Sequence, residues 1–130
     1  MKISRREFNK AGLGALSLAA LGTPATAGNL IKKPIPSSGE MVPVIGLGTN
    51  RFGRRDRDVL LAALQRFHEL GGTLIDTAPM YGKSEAVLGD LIEDLGIRED
   101  LFVATKADEE PGGDATDAQM RRSQTALRTQ

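Results

Sequence analysis

Short apolar runs alternate with helical segments along the chain after residue 43. The runs Val44–Gly48, Thr73–Asp76 and Leu101–Lys106 each have the length of a strand, and the first has the composition of a strand buried on both faces. Between the runs, apolar residues recur at the three- and four-residue spacing of helices that bury one face. This order predicts β-α-β-α-β-α, with right-handed crossovers and a parallel sheet.

A hairpin is predicted ahead of these units, because residues 31–43 hold two short apolar arms around the turn cluster Pro36–Glu40. The first helix is predicted to begin after Asp56, whose side chain suits an N-cap, and to end at Gly71–Gly72. Its predicted core positions are Leu60, Leu64 and Phe67.

The second helix also carries signals at both ends. Ser84 is the predicted cap of a helix over Glu85–Leu95. Gly96, followed by the apolar Ile97, is typical of a Schellman stop. The buried side of this helix is predicted at Val87, Leu88, Leu91, Ile92 and Leu95.

An acidic loop and a third helix follow the last apolar run. Thr116 and Gln119 have the spacing of a capping box, which predicts a helix that is still running when the chain ends at Gln130. The run Asp108–Asp114 is rich in carboxylates but lacks the spacing of an EF-hand. We therefore interpret it as a solvated loop and predict no metal site.

The pattern favours a barrel over a doubly wound sheet. No G-x-G-x-x-G sequence follows the first predicted strand, so the dinucleotide fingerprint of the doubly wound fold is missing. A barrel of eight β-α units takes about 250 residues. Three units are predicted here, so residues 28–130 are expected to be an incomplete, N-terminal portion of a (β/α)8 TIM barrel in a longer protein.

Three side chains of complementary chemistry follow these strands. Asp76 ends the second strand, Tyr81 lies on the loop behind it, and Lys106 ends the third strand. Parallel strands bring their carboxyl ends to one face of a barrel, where the chemistry of this fold is found. A free phenol, with a pKa of about 10, is a poor acid at neutral pH, but a neighbouring ammonium favours its ionised form. The trio therefore suits proton donation to a carbonyl, with a hydride from a cofactor.

Residues 30–130 resemble the opening of the aldo/keto reductase family, over about the first third of its barrel. The resemblance rests on the hairpin Lys33–Gly39, the segment Gly46–Thr49, the motif Asp76–Glu85 with Val87–Gly89 behind it, and the strand Phe102–Lys106. It implies an NADPH-dependent oxidoreductase that reduces aldehydes and ketones to alcohols.

The resemblance also implies roles for individual residues. Tyr81 is expected to donate the proton, Lys106 to tune it, and Asp76 to pair with Lys106 and to lie near the nicotinamide ribose. Positions lining the nicotinamide side are expected at Gly48, Thr49 and Asn50, although Asn50 departs from an aromatic often found there. The family's catalytic histidine follows the fourth strand, beyond this chain. His68 is not a substitute, since it falls in mid-helix on the predicted outer ring.

The first 27 residues have the order of an export signal. The segment Ser4–Lys10 resembles the twin-arginine signal, a weakly apolar stretch follows, and Ala25–Ala27 fits a signal-peptidase site. The resemblance implies that Arg5 and Arg6 are recognised by the Tat export machinery and that the mature protein, from residue 28, is periplasmic or otherwise exported. An amphipathic N-terminal helix is the alternative. The apolar stretch is too short for a stable membrane span.

Composition excludes some functions and leaves two open. The chain carries 17 basic and 17 acidic residues, which argues against a nucleic-acid partner, and it has no cysteine for disulfides or thiolate metal sites. The first open function is an exported enzyme acting on a small carbonyl substrate, with activity doubtful for these 130 residues alone. The second is a truncated, non-catalytic remnant or a cofactor-sensing binding module of the same fold.

Overall fold

The computed structural model describes residues 30–107 and 113–129. The predicted signal peptide, residues 1–27, and most of the predicted acidic loop, residues 108–112, lie outside the described residues. The strands and helices are β1 (Lys32–Pro34), β2 (Met41–Pro43), β3 (Leu47–Gly48), α1 (Arg57–Glu69), β4 (Leu74–Asp76), α2 (Ser84–Leu95), β5 (Phe102–Ala104) and α3 (Asp114–Ala126). Short 3-10 turns lie at Phe52–Arg54, Pro79–Tyr81 and Arg98–Asp100.

The strands form two small sheets, as predicted. β1 and β2 pair as an antiparallel hairpin. β3, β4 and β5 form a parallel sheet in that order, with Gly48 beside Asp76 and Asp76 beside Ala104. This is the arrangement of successive strand–helix units in the wall of a barrel. The described residues therefore form part of a barrel.

The hydrophobic core lies between the central strand and the helices. Ile75 of β4, Leu64 of α1, and Leu88 and Leu91 of α2 are fully buried. Leu127, directly after α3, joins the same cluster. The core positions predicted from helical spacing are thus confirmed in α1 and α2, with Phe67, Val87 and Leu95 packed at the edge of the cluster.

Helices α2 and α3 are in close contact at Gly89. A β-carbon at this position would lie 2.2 Å from the backbone carbonyl oxygen of Ala126 and 3.0 Å from the carbonyl carbon of Leu127. Glycine is therefore required here by packing.

The predicted start of α1 and the predicted stop of α2 are confirmed. The Asp56 side chain accepts hydrogen bonds from the backbone N–H groups of Asp58 (2.9 Å) and Val59 (3.3 Å), as an N-cap does. Gly96 adopts a left-handed φ of 64°, and the Ile97 N–H donates to the Ile92 carbonyl. This is the Schellman geometry expected from Gly96 and its apolar neighbour.

The expectation that Val44–Gly48 forms a strand buried on both faces is wrong. Only Leu47–Gly48 pairs as β3, and the Val44 and Ile45 residues are 47% and 69% exposed. The cause is the position of β3 at the edge of the described sheet, where β4 is its only neighbour in residues 30–107 and 113–129.

The predicted caps of α2 and α3 are also wrong. Ser84 lies inside α2, where its hydroxyl donates to the Tyr81 carbonyl (3.0 Å) and accepts from the Gly53 N–H (3.3 Å). α3 begins after Gly113, so Thr116 and Gln119 lie within it, and it ends at Ala126 rather than at the end of the chain. The Ser84 hydroxyl and the Gln119 amide instead bond to groups outside their own helices, the Gly53 N–H and the Lys106 carbonyl.

Candidate active site

The carboxyl ends of β4 and β5 bring Asp76 and Lys106 together. Asp76 is the last residue of β4, and Lys106 comes two residues after the end of the adjacent parallel strand β5. The Lys106 Nζ lies 2.7 Å from each carboxylate oxygen of Asp76 and donates to the Thr77 carbonyl oxygen at 3.0 Å. All three protons of the ammonium thus have an acceptor.

Tyr81 completes the group of three predicted side chains. It ends the 3-10 turn Pro79–Tyr81 that follows β4, and its residue is half-buried. The Lys106 Nζ lies 4.9 Å from the centre of the Tyr81 ring, within the range of a cation–π contact. Asp76, Tyr81 and Lys106 therefore meet at one edge of the sheet, as expected.

The local electrostatics keep Lys106 charged. Its hydrogen bond to Asp76 raises the pKa of the Lys106 ammonium above the ordinary value, Tyr81 adds to the rise, and desolvation opposes it. The two side chains remain 40% (Lys106) and 52% (Asp76) exposed, so the pair contributes little to stability. Its main effect is to hold a positive charge next to the phenol.

The residues expected near the nicotinamide follow β3 at the same edge. Gly48 is aligned with Asp76 across the sheet, and a β-carbon added to Gly48 would meet nothing within 4 Å. The Thr49 side chain is fully buried, and both its hydroxyl (3.0 Å) and its N–H (3.1 Å) donate to the Asp76 carbonyl oxygen. Thr49 thus fixes the backbone of Asp76.

Asn50 is exposed and opens onto a cavity beside Tyr81. The cavity has a volume of about 460 Å³. Its lining residues come from the loop after β3 and the loop after β4: Asn50, Gly53, Arg54, Met80, Tyr81, Gly82 and Lys83. The hydrogen bond from the Gly53 N–H to the Ser84 hydroxyl joins the loop after β3 to the start of α2. This cavity offers space for a small molecule next to the phenol.

Comparison with known proteins decides the family. The sequence model that describes the aldo/keto reductase family matches residues 44–129 of this chain. The chain belongs to the aldo/keto reductase family. Similar members include the methylglyoxal reductase YeaE of Escherichia coli, 41% identical over 58% of this chain and 28% of that protein. The norsolorinic acid reductase stcV of Emericella nidulans is 38% identical over 55% of this chain and 21% of that protein.

Solved structures of the family share the fold. A Pseudomonas aeruginosa protein assigned to the aldo-keto reductases is 36% identical, with a TM-score of 0.68 over 76% of this chain and 42% of its own. An aldo/keto reductase of Brucella melitensis is 26% identical, with a TM-score of 0.61 over 77% of this chain and 37% of its own. The chain spans about a quarter of the length of the sequence relatives it matches.

His68 lies apart from Asp76, Tyr81 and Lys106. Its Nε2 is 3.0 Å from the Asp100 carboxylate, which belongs to the 3-10 turn before β5. In residues 30–107 and 113–129, no group of three His, Cys, Asp or Glu side chains is arranged to hold a metal ion. No helix in the same residues is long and apolar enough to cross a membrane.

Sequence reasoning missed a buried carboxylate behind the site. Glu85, in the first turn of α2, is 7% exposed and accepts hydrogen bonds from the hydroxyls of Thr105 and Ser123. One signal pointed to it: Glu85 precedes Leu88 by three residues and Ile92 by seven, which places an acid on the apolar side of a helix.

Proposed function

We propose that this chain carries the proton-donating half of the active site of an oxidoreductase that reduces aldehydes or ketones to alcohols with NADPH. The proposal rests on membership of the aldo/keto reductase family and on one geometric observation. That observation is the contact of the Lys106 ammonium with both the Asp76 carboxylate and the Tyr81 ring.

The residues present fit a nicotinamide cofactor at this edge of the sheet. Gly48 leaves open space where any side chain would project, and the half-exposed Asp76 carboxylate can accept a hydrogen bond from a ribose hydroxyl. Asn50 adds a polar amide at the cavity beside Tyr81. When bound, the cofactor would supply the hydride that no side chain can provide.

The chain's own residues would donate the proton and stabilise the charge that it leaves behind. Tyr81 donates its hydroxyl proton to the substrate's carbonyl oxygen as negative charge develops on that oxygen. Lys106, held protonated by Asp76, stabilises the phenolate that remains. Thr49 keeps the end of β4 in place by binding the Asp76 carbonyl with two hydrogen bonds.

The substitution Tyr81→Phe tests the proton-donor role in the complete gene product, whatever its length. It removes one hydroxyl and keeps the ring, so NADPH binding and the melting temperature should change little. Carbonyl reduction should fall by about 100- to 10,000-fold, the range of general acid catalysis. The measurement is nicotinamide absorbance during turnover on a panel of aldehydes and ketones, beside an NADPH titration.

Two outcomes would separate this proposal from its alternative. Retained turnover in Tyr81→Phe would refute the role of the phenol. NADPH binding without turnover of any tested carbonyl by the unmodified protein would favour the cofactor-sensing binding module instead.

We also propose that residues 1–27 direct export through the twin-arginine pathway to the periplasm. The proposal is supported by the order of the basic segment with Arg5 and Arg6, the apolar stretch and the small residues Ala25–Ala27. This route carries folded proteins, which suits an enzyme that takes up its cofactor in the cytoplasm.

A further inference from the structure

Among residues 30–107 and 113–129, the donors to the buried carboxylate of Glu85 are two hydroxyls and no charged group. Its Oε1 accepts from the Thr105 hydroxyl at 2.7 Å, and its Oε2 accepts from the Ser123 hydroxyl at 3.2 Å. Burying a carboxylate is unfavourable unless hydrogen bonds replace those of water. Here two hydroxyls and the positive N-terminal end of α2 compensate. Because burial of a carboxylate requires this compensation, we expect Glu85 to have a role in the structure around it.

Thr105, which binds Glu85, is followed directly by Lys106, and this neighbour suggests the role. Thr105 and Lys106 are consecutive, yet their side chains contact different elements: Thr105 binds Glu85 on α2, and Lys106 binds Asp76 at the end of β4. The carbonyl oxygen of Lys106 also accepts from the buried Gln119 amide on α3, at 3.1 Å. The backbone of this two-residue segment is therefore held from two helices.

Such support matters because the lysine side chain is long and its head group is partly open to solvent. Asp76 fixes the ammonium at one end, and the backbone of residues 105–106 fixes the other. With both ends held, the Nζ lies 4.9 Å from the centre of the Tyr81 ring. The interaction of a charge with its neighbour weakens as their separation grows.

We propose that Glu85 is a positioning residue for Lys106: through the Thr105 hydroxyl it fixes the backbone from which Lys106 reaches Asp76 and Tyr81. Its predicted effect on turnover rests on the proposed function, whereas its effect on the placement of Lys106 does not. The competing explanation is that Glu85 only joins α2 to α3 through Ser123.

The substitutions Glu85→Ala and Thr105→Val separate these explanations in the complete gene product. Thr105→Val keeps the shape of the side chain and removes only the hydrogen bond to Glu85, so it carries the test if Glu85→Ala does not fold. Both should lower the pKa of Lys106 towards that of an ordinary lysine, because the hydrogen bonds between the ammonium and the Asp76 carboxylate weaken. The measurement is a pH titration of the lysine side-chain resonance, identified by its loss in Lys106→Arg.

Turnover gives the second readout. A displaced Lys106 should lower kcat about tenfold or more, since misplacement by about 1 Å costs up to a hundredfold, while KM for NADPH stays unchanged. Glu85→Gln should recover part of kcat because its amide oxygen can still accept from Thr105. Ile92→Val, a mild truncation on the buried side of α2, is the stability control. It should lower the melting temperature without moving the Lys106 pKa or kcat.

The outcomes are distinct. A lower Lys106 pKa with unchanged kcat would support the positioning role and contradict the role of Lys106 in stabilising the Tyr81 phenolate. An unchanged Lys106 pKa in both Glu85→Ala and Thr105→Val would overturn the positioning role. So would an equal pKa change in Ile92→Val, because the effect would then follow from lost stability alone.

Discussion

Replacing Gly89 by alanine should destabilise the protein, although the same change in an exposed helix is favourable. Gly89 lies within α2, where alanine gains up to about 1 kcal/mol of helix propensity over glycine. Against this, the added β-carbon would lie 2.2 Å from the Ala126 carbonyl oxygen, on the backbone of the neighbouring helix. Backbone atoms cannot rotate out of the way as a side-chain tip can, so α2 and α3 must move apart.

The size of the effect follows from these opposing contributions. Overpacking a close-packed interior costs about 1–3 kcal/mol, and a backbone contact this short belongs at the upper end. After the propensity gain, the net loss in free energy of unfolding should be about 2 kcal/mol. Separation of α3 from α2 would also pull Gln119 away from the Lys106 carbonyl.

Urea unfolding of the complete gene product, followed by circular dichroism, measures this loss. Ala86→Gly provides the matched control, because Ala86 is exposed on the same helix and isolates the propensity contribution, a loss of about 1 kcal/mol. If Gly89→Ala proved as stable as the unmodified protein, the inferred close approach of α2 and α3 would be wrong.

Two further predictions concern Lys106 and the N-terminal segment. Asp76→Asn should lower the pKa of Lys106, measured by lysine side-chain NMR, because it replaces the charged acceptor that raises that pKa with a neutral amide. Because the folded-state pKa is raised, the small contribution of the Lys106–Asp76 pair to the free energy of unfolding is present below the ordinary lysine pKa of about 10.4. This contribution is lost as the pH rises through the folded-state pKa. If it were lost between about pH 7 and 9 instead, the assignment would be contradicted. Replacing Arg5 and Arg6 together by lysine should leave the protein in the cytoplasm on cell fractionation; undiminished export of that variant would refute the twin-arginine signal.

The sheet and the edge that carries the site could be predicted from the sequence. Alternating apolar runs and helical segments require crossover connections, and crossovers make neighbouring strands parallel. Residues that end neighbouring strands then share an edge. This is why Asp76 and Lys106, 30 residues apart, could be expected to meet before any contact was known.

Contacts made by small polar side chains could not be predicted in this way. Ser84 has the local pattern of a helix cap, but its hydroxyl binds Gly53 on a loop 31 residues earlier. Glu85 has an acid's usual preference for a first helical turn, and its partners Thr105 and Ser123 lie 20 and 38 residues later. Local pattern carries no information about which distant group completes a hydrogen bond.

Burial of the first apolar run was misjudged for a different reason. Hydrophobicity indicates that a side chain favours an apolar neighbour but does not identify the neighbour. Val44 and Ile45 line a surface hollow of about 230 Å³ with Leu30 and Ile31, at the side of the sheet near the hairpin. Their exposure reflects the edge position of β3 in the described sheet.

The stacking of Lys106 on Tyr81 has a practical consequence for spectroscopy. Tyr81 is the single tyrosine in the sequence, which has no tryptophan, and phenylalanine contributes only weakly to near-ultraviolet absorption and emission. The ring that contacts the ammonium is therefore also the chain's one strong chromophore. Near-ultraviolet absorption and emission from these 130 residues therefore report mainly on the candidate active site, with no label attached.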